Sequence, residues 1–172
     1  MLGSFPPQKK RWSMDFFYPN LNNDMWRIVG LIFFGNKEYF LNETKKAFSP
    51  ERLTRFLTER GIALYDTATH VQRLDNNASD KSLKIVQATN IRALLDKVPH
   101  CTAIATTGQK ASETLCQQMQ IAEPKIGECV TAMYGDRKLR IYRMPSSSRA
   151  YPLKLERKAE IYQQIFQELH IE

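Results

Sequence analysis

The segment that most restricts the fold is Thr102-Ala103-Ile104-Ala105-Thr106, which runs through Gly108 into Gln109–Met119. The short apolar run reads as a buried strand, the glycine as a turn, and the segment after it as a helix. A strand that feeds a helix belongs to a crossover unit, and crossover units build parallel sheets. The same order of strand and turn recurs along the chain. Met1–Ser4 is a strand fragment ending at Gly3-Ser4-Phe5-Pro6-Pro7, where two prolines forbid helix. Ile62-Ala63-Leu64-Tyr65-Asp66 is a short apolar run ending in an acid, and Leu139–Arg143 is a strand halted by Met144-Pro145 and a run of serines. Helices are predicted from a cap at Asn22 or Asn23 to about Phe34, and from Ser49-Pro50-Glu51 to Gly61. Two more are predicted over Ile91–Lys97, closed by Pro99, and from about Leu153 to Leu169; Arg73 to Ser82 reads as a polar surface loop. The order predicts an α/β protein: a three-layer α/β/α sandwich around a mainly parallel, four-stranded sheet. Without internal repeats or a low-complexity linker, one domain is expected over residues 1–172. Ligands of such sheets bind beyond the carboxyl ends of the strands. That expectation sets the turns Ser4–Pro7, Thr106–Lys110 and Pro145–Arg149 on one rim.

A chain of 172 residues, 42% hydrophobic and 25% charged, has the balance of a globular protein rather than a disordered tail. Lysine and arginine number 25 against 18 acids, a net charge of +7 that favours a polyanionic partner, nucleic acid or an anionic membrane surface. The longest apolar run, Ile28–Phe34, is far too short to span a bilayer, and no signal peptide is evident. A cytoplasmic location is expected. Cys101, Cys116 and Cys129 are widely spaced and do not cluster with His70, His100 or His170, so neither a metal nor another cofactor is expected.

Four constellations each carry two readings. In Phe16-Phe17-Tyr18-Pro19-Asn20-Leu21-Asn22-Asn23-Asp24-Met25-Trp26, aromatics beside amides suit a pocket for a flat heterocycle: a ring stacks while an amide reads its edge. The same residues suit a helix cap with a hydrophobic staple. Ser146-Ser147-Ser148-Arg149 offers hydroxyls, backbone N–H groups and a guanidinium to a phosphate, or is an ordinary strand-to-helix loop. Thr107-Gly108-Gln109-Lys110 opens a helix toward an anion, but plain turn chemistry explains it without the P-loop or dinucleotide spacing. Lys9-Lys10-Arg11, and Lys154 with Arg157 and Lys158, form either a phosphate-tracking face or solvated surface. Asp15, Asp24 and Asp66 are candidate bases, and no nucleophile signature is present.

In this order, the segments resemble the uracil-DNA glycosylase superfamily, most closely the branch of mismatch-specific uracil/thymine and hypoxanthine-DNA glycosylases. Gly3-Ser4-Phe5-Pro6 matches its Gly-x-x-Pro turn, and Tyr18 through Ile28 matches a stretch of the type Tyr-x-x-Pro-x-Asn-x-Phe-Trp-x-Ile. Gly61–Asp66 and Ile104–Ala111 resemble its middle strands, and Met144-Pro145-Ser146-Ser147-Ser148 its Leu-Pro-Ser-x-Ser motif. The resemblance implies a monofunctional glycosylase that hydrolyses the N-glycosidic bond of a deaminated base, uracil or hypoxanthine, flipped from DNA. It implies Asn23 as the catalytic residue, at the base or the attacking water. Gly3, Ser4, Phe5, Tyr18 and Asn20 would form the base pocket, with Tyr18 stacking on the base. Ser146, Ser147, Ser148 and Arg149 would hold phosphates or fill the vacated stack, and Lys9, Lys10 and Arg11 would form a basic DNA face. The implied partner is DNA bound by a monomer.

Three positions depart from the family pattern. Phe5 stands where many relatives carry Asp or Asn, Met144 where His or Asn is common, and Ser148 at the usual apolar wedge. The first strand, central in the family's sheet, has only Met1 and Leu2 ahead of its turn. An upstream start or a tolerated stub would each account for it. Loss of catalytic groups on the same fold would leave a nucleic-acid-binding domain, the alternative reading.

Overall fold

The computed structural model describes residues 1–74 and 83–171. In chain order its elements are β1 (Leu2–Gly3), α1 (Met25–Phe34), α2 (Pro50–Glu59), β2 (Tyr65–Asp66), β3 (Ala68–Arg73) and β4 (Leu83–Ala88). They continue with α3 (Ile91–Asp96), β5 (Ala103–Thr107), α4 (Gln109–Met119), β6 (Cys129–Tyr134), β7 (Arg137–Met144) and α5 (Leu155–Glu168). Residues 75–82 of the expected polar loop lie outside the described residues, and Arg73 is the last residue of β3. The described chain forms two compact units, Met1–Phe5 with Leu64–Pro145, and Pro6–Ala63 with Ser146–Glu172.

The first unit carries a five-stranded sheet in the order β2-β1-β5-β7-β6. Strands β2, β1, β5 and β7 run parallel, as the crossover unit predicts, and β6 adds an antiparallel edge to β7. The two-residue β1 nonetheless sits inside the sheet: Leu2 is in register with Tyr65 on one side and Thr106 on the other. A separate antiparallel pair, β3 with β4, follows β2. Leu2, Ile104, Leu115, Leu139 and Ile141 are buried in one cluster with Ile91 and Leu95 of α3. Local chemistry sets the helix starts. Asn90 Oδ1 accepts the Ala93 N–H at 3.1 Å to cap α3. Gly108, with φ 108° and ψ 167°, takes a backbone conformation that side chains resist, and so turns β5 directly into α4.

The second unit is built from α1, α2 and α5. Ser49 Oγ accepts the Arg52 N–H, and Pro50 and Glu51 complete the predicted start of α2. Helix α1 begins at Met25, and its N-cap position is Asp24, whose side chain makes no capping bond. The cap position thus falls one residue after Asn23 and two after Asn22, the expected caps, and the Asp24 carboxylate makes no capping bond because its oxygens have other partners. The core here is aromatic. Phe33 meets Phe56 at 4.9 Å and Phe166 at 5.3 Å between ring centres, and Trp26 and Phe40 are almost fully buried. Such edge-on and tilted ring contacts add about 0.5–1.5 kcal/mol each beyond area burial.

Candidate functional site

In the first unit, the carboxyl ends of β1, β5 and β7 share one edge. The Gly3 and Ser4 carbonyls accept the Thr67 and Ala68 N–H groups at 2.9 and 3.2 Å. Thr107 Oγ1 donates to the Leu2 carbonyl at 3.4 Å, and the Gly108 N–H donates to the Met144 carbonyl at 3.3 Å. Gly3 and Ser4 are buried and Phe5 is half-buried. Met144 is buried as well, so the first position of its motif is a core side chain with no polar group to offer. The turns after β1 and β5 fall on the predicted rim. The serine turn belongs to the second unit.

There, two stretches far apart in sequence are joined. Asn23 and Ser148 form an antiparallel β-bridge, and the Asp24 N–H donates to the Ser147 carbonyl at 2.8 Å. The Asn20 carbonyl accepts the Asn23 N–H at 2.8 Å, and Asn20 Oδ1 accepts the Asn22 N–H at 2.9 Å, which folds the segment into a tight Asx turn. Asn23 Oδ1 accepts the Met25 N–H at 2.9 Å. That bond serves the first turn of α1 and also fixes the amide plane. Asn23 Nδ2 makes no hydrogen bond among the described residues and is the half of the amide left to offer a ligand. Tyr18 holds a left-handed backbone at φ 50° and sets its ring edge-on to Trp26 at 5.9 Å. The Trp26 indole donates to the Phe17 carbonyl at 3.0 Å, so the wall beside Tyr18 is itself pinned. Tyr162 is fully buried; desolvation, with Tyr18 beside it, pushes its hydroxyl well above the ordinary tyrosine range and keeps it neutral.

The charges of this unit are arranged around Asp24. Lys158 Nζ reaches Asp24 Oδ2 at 2.9 Å and the Ser148 carbonyl at 2.8 Å. Arg149 Nε reaches Asp24 Oδ1, and Arg149 also donates to Asn22 Oδ1, both at 3.3 Å. Arg27 donates to the Leu21 and Asn23 carbonyls at 2.6 and 3.3 Å; burial, and then Arg149 nearby, lowers its pKa from the ordinary arginine value. Asp24 is therefore an ion-paired carboxylate rather than an open base.

Lys158 overturns an expectation. It lies neither on a solvated face nor on a phosphate-tracking one: its exposure is 0%, because Asp24 and the Ser148 carbonyl satisfy it inside. Lys154 and Arg157 of the same cluster are exposed, and Arg157 pairs with Glu160. The residues missed from sequence are Arg27 and the Asp24–Lys158 pair. Lys158 does carry a signal, since it falls on the apolar stripe of α5 with Leu155, Ala159, Tyr162, Ile165 and Phe166. A lysine on such a stripe requires a buried partner.

The serine turn is uneven. Ser147 is 3% exposed and presents its carbonyl inward, whereas Ser148 and Arg149 are exposed and Ser146 is half-buried. Ser146 Oγ accepts the Ser148 N–H at 3.2 Å, and Ser148 Oγ accepts the Ala150 N–H at 3.3 Å. Lys9, Lys10 and Arg11 form an exposed 3-10 turn, with Lys9 5.3 Å from the centre of the Trp12 ring. Among the described residues, no three His, Cys, Asp or Glu side chains cluster as metal ligands, and no helix is long and apolar enough to cross a membrane.

No family model and no curated protein matches the chain. Among solved structures, its fold matches the solution NMR structure of a protein from Methanosarcina acetivorans, provisionally described as a uracil DNA glycosylase. The TM-score is 0.64, the identity 22%, and the match covers 98% of this chain and 88% of that one. The likeness shows a shared α/β fold with a mainly parallel sheet flanked by helices.

Proposed function

We propose that this protein is a DNA glycosylase of the uracil-DNA glycosylase superfamily, of the mismatch-specific uracil/thymine and hypoxanthine branch. It removes a deaminated base, uracil or hypoxanthine, flipped from DNA, acting as a single domain and a monomer in the cytoplasm. The observation that carries the reading is the β-bridge between Asn23 and Ser148, which joins the two motif segments that the resemblance assigns to base and backbone. The shared fold supports it.

In this reading the C1′–N bond breaks as the sugar becomes oxocarbenium-like. Water adds at C1′, and its proton ends on the departing base. The resemblance gives Tyr18 the role of stacking on the extruded base, and assigns Asn20, Gly3, Ser4 and the Phe5 backbone to the base pocket. Asn23 Nδ2 donates to the carbonyl oxygen on which charge grows as the base leaves. A donor placed where charge develops is worth about 10²–10³ in rate. Ser146 and Ser148 face phosphates, Arg149 serves as phosphate contact or wedge, and Lys9, Lys10 and Arg11 track the backbone. Ser147 contributes its inward carbonyl to the shape of the turn rather than a hydroxyl to DNA. Extrusion costs a few kcal/mol and is cheapest at a mismatched or damaged base, which supplies part of the selectivity.

A second reading, a nucleic-acid-binding domain without excision activity, is favoured by Phe5 and the buried Met144, which remove two customary polar groups. Excision assays on oligonucleotides carrying uracil, hypoxanthine or xanthine, single-stranded and in defined mismatches, separate the two. Alkali-labile abasic sites from at least one substrate support the glycosylase; binding without product supports the alternative. Cleavage of free nucleosides but not of oligonucleotides would contradict both.

A further inference from the structure

We propose that Lys158 is a positioning residue that holds the serine turn to the Asn23 turn and, by neutralising Asp24 from inside, releases Arg149 for a DNA phosphate. The inference rests on the DNA-binding part of the function proposed above. Its starting point is an asymmetry around one carboxylate. Asp24 Oδ2 is met at 2.9 Å by an ammonium with 0% exposure, while Oδ1 is met at 3.3 Å by a guanidinium whose side chain is 51% exposed. A buried carboxylate left without a counter-ion is costly, so one of its two cations must stay. Lys158 is the one that stays. Its ammonium also holds the Ser148 carbonyl at 2.8 Å and lies 6.0 Å from the Tyr151 ring centre, so its position is fixed on several sides. Arg149 has weaker holds, Asp24 Oδ1 and Asn22 Oδ1, both at 3.3 Å and toward solvent. With Asp24 already paired, Arg149 can exchange these contacts for a phosphate without stranding a buried charge. The pair thus separates a fixed cation from a movable one.

The consequence is a double-variant pattern that simple destabilisation does not produce. In K158M, Arg149 becomes the nearest counter-ion of Asp24 and is retained there, so the log–log salt slope of binding to duplex DNA falls by about 0.9, one phosphate. In the variant D24N/K158M, the buried charge and its counter-ion are both gone and Arg149 is free, so the slope returns to the parental value. R149A lowers the slope by the same amount as K158M, and K158M/R149A lowers it no further. Salt titrations are made on folded protein verified by circular dichroism; if K158M alone does not fold, D24N/K158M against D24N/K158M/R149A gives the same one-phosphate step. A parental slope in K158M, or additive losses in K158M/R149A, overturns the proposal. So does a D24N/K158M slope that stays depressed, or a parent whose DNA binding is absent. The predicted slopes in a protein that excises no base leave this proposal standing and remove the glycosylase reading. Unchanged slopes in a protein that does excise do the reverse.

Discussion

In the proposed reaction Asn23 has two jobs, one for each end of its amide, and a pair of substitutions separates them. Its Oδ1 accepts the Met25 N–H at 2.9 Å, and its Nδ2 is the donor assigned to the departing base. In N23A both are lost. That hydrogen bond to the first helical N–H is worth about 1 kcal/mol net, which in a chain of this size lowers Tm by about 2–4 °C. Loss of the donor lowers the single-turnover excision rate about a hundredfold or more, the equivalent of about 3 kcal/mol. In N23D an oxygen still meets the Met25 N–H, so Tm stays within about 1 °C of the parent, since Asp and Asn side chains both accept a backbone N–H two residues on. Nothing then donates to the base, and the rate falls as far as in N23A. Melting curves and rapid-quench excision on the same preparations decide the matter. Parental excision by N23D, or an N23A variant that melts early yet excises at full rate, would refute the assignment and leave Asn23 a structural residue of α1.

Affinity for duplex DNA should fall steeply with salt, and replacing Lys9, Lys10 and Arg11 together by Ala should reduce the log–log slope by up to about 2.7, three phosphates at about 0.9 each; a flat response in the parent contradicts a DNA substrate. Borohydride should trap no covalent protein–DNA complex, because no lysine lies in the motifs at Gly3–Pro6, Tyr18–Ile28 and Met144–Ser148 to form a Schiff base. A G30A variant should lose about 1–3 kcal/mol by denaturant titration, since a Cβ there would stand 2.6 Å from the Asn36 carbonyl oxygen inside a packed turn. An aromatic disulfide reagent should label exposed Cys129 quickly and Cys116 only on unfolding: burial raises the Cys116 thiol pKa, so raising the pH generates its reactive thiolate late.

What was legible in the sequence was what local chemistry decides. Helix α4 spans the predicted Gln109–Met119 because a strand, a glycine turn and an amphipathic run each leave short-range marks. Helix α2 starts as Ser49-Pro50-Glu51 dictates. The edge strand β6 was harder, although Gly135-Asp136 between two β-prone runs is a hairpin signal. Strands β3 and β4 alternate too many polar residues, Thr69, His70 and Gln72 among them, to stand out from loop. In the site, the Asn23 region and the serine turn were visible by type, but their junction was not. It is made by the Asn23–Ser148 bridge and the Asp24 N–H to Ser147 carbonyl bond, with Lys158 meeting Asp24 and the Ser148 carbonyl, contacts between distant segments that only the folded chain creates. Charge suggests surface for Lys158, whether solvated or facing phosphate, whereas its helical position on an apolar stripe is the better guide.

The most direct measurement of the proposed chemistry is the mass of the products of a single turnover run in ¹⁸O-water. Oligonucleotides carrying one uracil or one hypoxanthine are mixed with excess protein and quenched. Hydrolysis at the N-glycosidic bond predicts free base without label and an intact strand whose abasic sugar carries one ¹⁸O at C1′. Strands that keep their base mass at every lesion, under conditions where the protein binds them, would contradict the glycosylase.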